Sequence, residues 1–209
     1  MFEKMKEIPK FYNCLQETQK EIFSLLFQGP KKRKSKFHNA VLCTVNLENK
    51  PEARTVVLRK FCSDQLIINI HSDVRAKKIF ELRKNENVTL IFYDDQKKIQ
   101  LRIRGSAQIE KSKKDSWSML SNWSRRCYLS EETPGKKIEN PSSGFPEKFS
   151  FEAPSTDESE DGLKNFSVIK IEISEIEWLY LASQGHRRAL FQIYKNNFKK
   201  EIKSKWLAP

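Results

Sequence analysis

Three apolar segments follow one another with almost no chain between them. AVLCTVNL (40–47), EARTVVLRKF (52–61) and QLIINI (65–70) are joined only by ENKP and CSD. A parallel pair needs a crossover of roughly a dozen residues or more, so these segments must pair antiparallel, as a meander. The pattern returns in NVTLIFYD (87–94) and KIQLRIRGSAQI (98–109), which flank a turn at DDQKK. In the second of these, Gln100, Arg102 and Arg104 alternate with Leu101 and Ile103, which puts the polar residues on one face. FSVIKIEI (166–173), IEWLYLA (176–182) and RRALFQIY (187–194) complete the set, with SQGH turning between the last two. About six to eight short strands with a few helices between them predict a mainly β chain, a small closed or partly open antiparallel barrel with helices attached.

The helices are set by a different spacing. Phe11, Leu15, Ile22, Leu25 and Leu26 fall near one stripe, which predicts a helix over 11–27 stopped by Gly29 and Pro30. SDVRAKKIFELRKN (72–85) predicts a helix capped by Ser72 or Asp73, with Val74, Ile79 and Leu82 as apolar positions. Residues 111–126 predict another, packing through Trp117, Leu120 and Trp123. Residues 129–165 carry Pro, Ser, Gly and the acidic run DESED (157–161), which predicts a long loop. Strands on both sides of that loop belong to one sheet system, so the expectation is a single domain over 1–209.

Composition narrows the class. A chain of 209 residues buries a real core, and 38% hydrophobic with 32% charged is polar but not disordered. No apolar run approaches the roughly 18 residues of a membrane span. The start, MFEKMKEIPKFYN, lacks the apolar stretch of a signal peptide, so the expectation is a soluble, cytoplasmic chain. A net charge of +12 points to nucleic acid, membrane surfaces or phosphorylated ligands, or simply to a lysine-rich solvated surface. The same choice applies to KKRKSKFH (31–38) and to the lysines between Lys195 and Lys205. Cys14, Cys43, Cys62 and Cys127 are widely spaced, with no CxxC and no Cys/His cluster. Reduced thiols, no metal site and a core role for Cys43 are the expectation.

Walker, GxSxG and GxGxxG motifs are absent, and His38, His71 and His186 share no metal-ligand spacing. The informative residues are cations. Arg54 precedes the apolar run of 55–58, and Arg59 and Lys60 follow it. His71, Ser72, Arg75, Lys77 and Lys78 stand at a strand end and the first turns of a helix. A helix start has free N–H groups and a partial positive charge, so basic residues there are unfavourable unless an anion joins them. A phosphate monoester would suit the place, with arginines adding bidentate hydrogen bonds. The residues alone leave a phosphate site and a solvated cationic surface both open.

Taken in order, RTVVLR (54–59), HSDVRAKK (71–78), FYDDQKKIQLRIRGSAQI (92–109), HRRALF (186–191) and WLAP (206–209) resemble the pyridoxamine 5'-phosphate oxidase-like FMN-binding split barrels. The resemblance spans most of the chain and is closer to generic FMN-dependent members than to true pyridoxamine-phosphate oxidases. It implies an antiparallel split barrel, FMN as cofactor, and a homodimer with two FMN sites at the subunit interface. It further implies that Arg54, Val57, Leu58 and Arg59 line the flavin and its ribityl phosphate, and that His71 and Ser72 stand beside the flavin. Lys77 and Lys78 match the pair that holds the phosphate. Gln100 matches a glutamine contributed across the dimer, and Arg187 and Arg188 match a basic motif near cofactor and substrate. Two departures stand out: Ala76 where the family has serine, and Leu190 where an arginine is expected. The substrate-phosphate region is not reproduced in SRRCYLSEETPG (124–135), where only Arg125 and Arg126 are partial counterparts. The expected function is an FMN-dependent oxidoreductase acting on an unidentified small molecule. The rival is a non-catalytic flavin- or nucleic-acid-binding barrel, with nucleic acid the disfavoured partner because the aromatics are mainly Phe at core positions.

Overall fold

The computed structural model describes residues 8–110, 112–196 and 199–209. The expectation for the charged start of the chain falls largely on residues 1–7, outside the described ones. The elements are α1 (Leu15–Gln28), β1 (Asn39–Val45), β2 (Pro51–Cys62), β3 (Ile67–Asp73), α2 (Lys77–Lys84), β4 (Asn87–Asp94) and β5 (Ile99–Ile109). After them come α3 (Lys114–Ser118), α4 (Asn122–Arg126), α5 (Thr156–Glu160), β6 (Phe166–Tyr180), β7 (Arg187–Asn196) and β8 (Lys199–Leu207). The strands pair in the order β3-β2-β1-β4-β5-β6-β7-β8, and β3 also pairs with β6. That extra pairing closes the first six strands into an antiparallel barrel, the split barrel expected from the sequence.

β6 makes the closure possible. The sequence pattern predicts two strands here, 166–173 and 176–182, because Ser174 and Glu175 interrupt the apolar alternation. The structure has one strand of 15 residues. Its first half pairs with β3, from Asp73↔Phe166 to Ile67↔Glu172, and its second half pairs with β7, from Glu175↔Gln192 to Tyr180↔Arg187. On its other side it follows β5 throughout, with a register shift at Arg104/Gly105. Ser174 is the extra residue, and its hydroxyl donates to the Arg104 carbonyl at 3.2 Å. A bulge bends a strand and sharpens its twist, which carries the second half of β6 out of the barrel to meet β7. Gly105 lies against the bend, where a Cβ would stand 2.2 Å from the Glu172 carbonyl oxygen.

Strict alternation fills the barrel. Leu42, Leu58, Ile68, Ile70, Leu90, Leu101, Ile103 and Ile171 are buried to 1% exposure or less. Burying each contributes about 1.5–3 kcal/mol against the chain entropy of folding. α1 packs over one mouth through Ile22 and Leu26, with Phe23 edge-on to Phe61 at 5.5 Å. α2 packs over the other through Ile79 and Leu82.

Several local expectations shift. Pairing with β6 draws Ser72 and Asp73 into β3, so neither caps α2; the N-cap is Ala76, which has no side chain to cap with. Asp73 Oδ1 accepts the Arg75 backbone N–H at 2.8 Å instead. The helix expected over 111–126 is two five-residue helices, α3 and α4, the second capped by Ser121. The long segment 129–165 contains α5, begun by a Ser155/Glu158 capping box whose S-x-x-E spacing is present in the sequence. The lysine-rich end of the chain is an edge strand, β8, and lysines are a usual guard of an edge against further pairing. Cys43 shares the outward face of β1 with Val41 and is half-buried rather than core.

A smaller apolar cluster lies outside the barrel. Trp117, Phe166 and Val168 form it, with Leu120, Tyr128 and Leu163 against them. His71 meets Phe166 edge-on at 4.9 Å. Burial, with Arg59 adding to it, pushes the His71 pKa down to about 4, so the imidazole is neutral at pH 7. No helix among the described residues is long and apolar enough to cross a membrane.

Two outcomes follow. Gly105→Ala should cost about 3 kcal/mol in urea unfolding, since backbone must move to admit the methyl; an unchanged midpoint would show that the bend is not tight. Between pH 6.5 and about 4 the unfolded chain protonates at His71 and the folded one does not, so stability should fall as pH drops through that window. The loss from this residue should be about 2 kcal/mol after allowing for its partial exposure. His71→Asn should flatten that part of the profile, and an identical acid limb in the variant would refute the assignment.

Candidate functional site

The mouth of the barrel under α2 holds the densest group of polar side chains. Arg54 shares the inward parity of Val56 and Leu58, so its guanidinium turns into this mouth. Arg54 Nη2 donates to Glu81 Oε2 at 2.9 Å, and Arg54 Nη1 donates to the Thr44 hydroxyl. Thr44 in turn donates to Glu81 Oε2 at 2.6 Å. Glu81 is 2% exposed, and its Oε1 has no partner among the described residues. A carboxylate so buried persists because it is paired.

Lys78 and Ser72 stand beside that pair. Lys78 Nζ donates to Ser72 Oγ at 3.1 Å. Burial lowers the Lys78 pKa, the Arg54 charge lowers it further, and Glu81 and Asp73 oppose the shift. Asp73 is itself engaged by Arg75, whose Nη2 reaches Asp73 Oδ2 at 2.8 Å. Lys77 and Lys78 therefore have no carboxylate partner among the described residues, and α2 has no acidic residue in its first turn. Two cations, one of them desolvated against a neutral hydroxyl, stand at the positive end of an uncapped helix. An anion with several acceptor oxygens fits this donor set.

Val57, Arg59 and His71 face outward around the same strands. Arg59 is exposed, with no hydrogen-bond or ion-pair partner among the described residues, and Val57 is half-buried. Arg59 and His71 line a cavity of about 550 Å³ together with Phe27, Lys60, Asn69 and Met119 among others. His71 Nδ1 is buried there without a described partner. Leu58 instead fills the barrel: it is 1% exposed, and its backbone N–H donates to the His38 carbonyl at 2.9 Å. A cavity of about 710 Å³, lined by Cys43, Arg104, Glu172 and Lys195 among others, takes in Thr44 but no other residue of either group.

Gln100 and Arg188, 88 positions apart in sequence, share one row of the sheet. Gln100 is opposite Leu179, and Leu179 is opposite Arg188. The next row on that face is Arg102, Glu177 and Leu190. This face belongs to β5, β6 and β7, whereas the first group stands on β2, β3 and α2. β1 and β4 lie between β2 and β5 round the barrel, and β3 pairs only with the first half of β6, whereas Glu177 and Leu179 lie in its second half. No hydrogen bond or ion pair among the described residues links the two groups.

The arginines expected at a substrate are occupied by the chain itself. Arg125 Nη1 donates to Glu160 Oε1 at 2.7 Å, and its guanidinium lies over Trp117. Arg126 donates to the Phe149 carbonyl and lies over Trp123 and Phe145. Arg187 stacks on Tyr12 and donates to Asn13 Oδ1 at 3.0 Å. Sequence reasoning passed over Thr44, Glu81 and Glu177. Glu81 and Glu177 each occupy a buried position inside an apolar pattern, a signal that periodicity carries once the strand faces are known.

Residues 17–111 match the family model described as pyridoxamine 5'-phosphate oxidase, FMN-binding domain. Among curated proteins none matches the chain. Among solved structures, a pyridoxamine 5'-phosphate oxidase-related FMN-binding protein of Nostoc punctiforme PCC 73102 is 20% identical with a TM-score of 0.72, over 97% of this chain and 100% of that one. PhzG of Burkholderia lata 383, solved in complex with tetrahydrophenazine-1-carboxylic acid, is 12% identical with a TM-score of 0.63, over 99% and 100%. At such identities the likeness is one of fold. Residues 17–111 thus match the pyridoxamine 5'-phosphate oxidase FMN-binding domain, and the closed barrel around them has the fold of the pyridoxamine 5'-phosphate oxidase-related FMN-binding proteins.

Proposed function

We propose that this protein is an FMN-binding flavoprotein that works as an FMN-dependent oxidoreductase on a small molecule, as a homodimer with two FMN sites at the subunit interface. The observation that carries the reading is the pair of lysines at the start of α2 with no carboxylate partner among the described residues, Lys78 desolvated beside Arg54 and Ser72. A phosphate dianion would supply the charge that this mouth lacks. Arg54, Ser72, Lys77 and Lys78 would hold it, without the serine hydroxyl that Ala76 replaces. Arg59, Val57 and His71 would border the ring system, His71 offering a hydrogen bond without adding charge.

FMN, when bound, supplies the redox chemistry, so the protein needs no nucleophile of its own. What the chain provides is position and charge. The split residue set supports the dimer: Gln100 and Arg188 lie on β5 and β7, away from β2, β3 and α2, and a second copy would bring them to the α2 mouth. The outward faces of β1 and β4 suit such a contact, since Val41 and Tyr93 are 38% and 44% exposed there.

Purified protein should bind FMN with a flavin absorbance spectrum, and no binding at saturating FMN would end this reading. Lys78→Ala should weaken FMN about ten-fold to a hundred-fold and riboflavin hardly at all, because only FMN has the phosphate. Equal losses for both ligands would remove Lys78 from the phosphate site. Arg54→Ala should behave likewise but also destabilise the fold by about 3 kcal/mol, since it strands buried Glu81. The sign with pH is set by Lys78. Phosphate raises a pKa that burial had lowered, so FMN affinity is complete below the free-state pKa and declines as pH rises through it. Riboflavin affinity should show no such decline. In sedimentation equilibrium the FMN-loaded protein should be a dimer; a loaded monomer would exclude a shared site.

A further inference from the structure

We propose that Glu177 is a positioning residue for Arg188, holding that guanidinium ready at the part of the cofactor site which one protomer lends to the other. The proposal rests on the FMN reading above. Glu177 belongs to the outer face of the sheet, where a carboxylate would ordinarily meet water, yet it is 6% exposed. Arg102 from β5 and Arg188 from β7 cover it from opposite sides. Arg102 Nη2 donates to Glu177 Oε2, while Arg188 donates through Nε to Oε1 at 3.1 Å and brings Nη2 within 2.9 Å of the same oxygen as an ion pair.

The form of the Arg188 contact matters. A hydrogen bond and an ion-pair contact from two nitrogens of one planar group to one oxygen restrain the guanidinium more than a single bond would. The remaining nitrogen, Nη1, has no partner among the described residues. Arg188 shares its row with Leu179 and Gln100, so an ordered guanidinium lies on the same face as the other residue that a second copy would present. An arginine that must be ordered when ligand arrives weakens binding by the cost of ordering it. Glu177 meets that cost in the folded protein. Arg102 is the second support: it is half-buried, and its charge with that of Arg188 leaves the trio at net +1.

A double-mutant cycle on the full-length protein tests this, with FMN affinity read by quenching of flavin fluorescence. Glu177→Gln should weaken FMN about ten-fold, and Arg188→Ala at least as much. The doubly substituted protein should bind no more weakly than Arg188→Ala alone, because Glu177 acts through Arg188. Wild-type affinity in Glu177→Gln, or losses that add in the double variant, would overturn the proposal. If Glu177→Gln does not fold, Arg188→Lys replaces it. Lysine keeps the charge but loses the two-point contact, so a loss like that of Arg188→Ala supports positioning and wild-type affinity overturns it. Failure of the wild-type protein to bind FMN defeats the earlier reading instead, and the two failures are distinct.

Discussion

β6 pairs with β3 along its first half and with β7 along its second, and a single bulged residue separates the two regimes. The first half closes the barrel. The second half leaves it and founds the outer sheet that β7 and β8 extend. If the strand ran straight, either β3 would have no partner and the barrel would stay open, or β7 would have none and its row of polar residues would not exist. The bend needs a spare residue on one strand and none at all beyond the backbone on the other, which Ser174 and Gly105 provide. Both groups of polar residues depend on this arrangement. Closure sets Ser72 against Ser167 at the α2 mouth, while the outward excursion sets Leu179 between Gln100 and Arg188.

The charges at the two places follow different logic. At the outer row a carboxylate receives two arginines, so each arginine there has an ionic partner although the trio is left at net +1. At the α2 mouth one carboxylate serves Arg54, another serves Arg75, and two lysines are left over. A fold selected for stability alone would put acids at the start of α2, where they complement the helix dipole. The residues present there do the reverse, and the desolvation of Lys78 shows that the conflict is not relieved by solvent. An unsatisfied arrangement of this kind stands out because the rest of the barrel is so regular: strands alternate, the mouths are covered, and Arg75, Arg125 and Arg126 tie the long segment after β5 to nearby carbonyls and carboxylates.

How much of this the sequence discloses depends on the range of the interaction. Short connectors dictated antiparallel pairing, and period-two alternation located β1, β2, β4 and β5 to within a residue or two. The cations of the α2 mouth were legible because they cluster in sequence around one helix start. Ser72 and Asp73 read as helix caps because their local chemistry suits a cap; pairing with β6, almost 95 positions away, took them for the sheet instead. β6 read as two strands because a bulge resembles a break when its partners are unknown. β8 escaped notice because its lysines suit a solvated tail as well as an edge strand. Glu81 and Glu177 escaped for the same reason as Leu58 was misplaced: whether a residue faces the core or a ligand depends on parity, and parity is known only when the register is.

The proposed division of the site between two protomers also bears on how it would be assembled. Residues brought together within one protomer are fixed by folding, whereas residues from two protomers meet only with the accuracy of their supporting contacts. Long, flexible side chains are poor tools for that task unless something holds them in advance. At the α2 mouth, Arg54 is held by Glu81 and Thr44, both from its own barrel. On the outer face, Arg188 is held by Glu177, again from its own protomer. In both places a buried carboxylate holds an arginine, Glu81 with the help of Thr44 and Glu177 through two contacts of its own. The pairing of a held arginine with a carboxylate behind it therefore recurs on the two halves of the residue set, although the halves share neither strand nor sequence. That repetition supports the proposal that they are parts of one site.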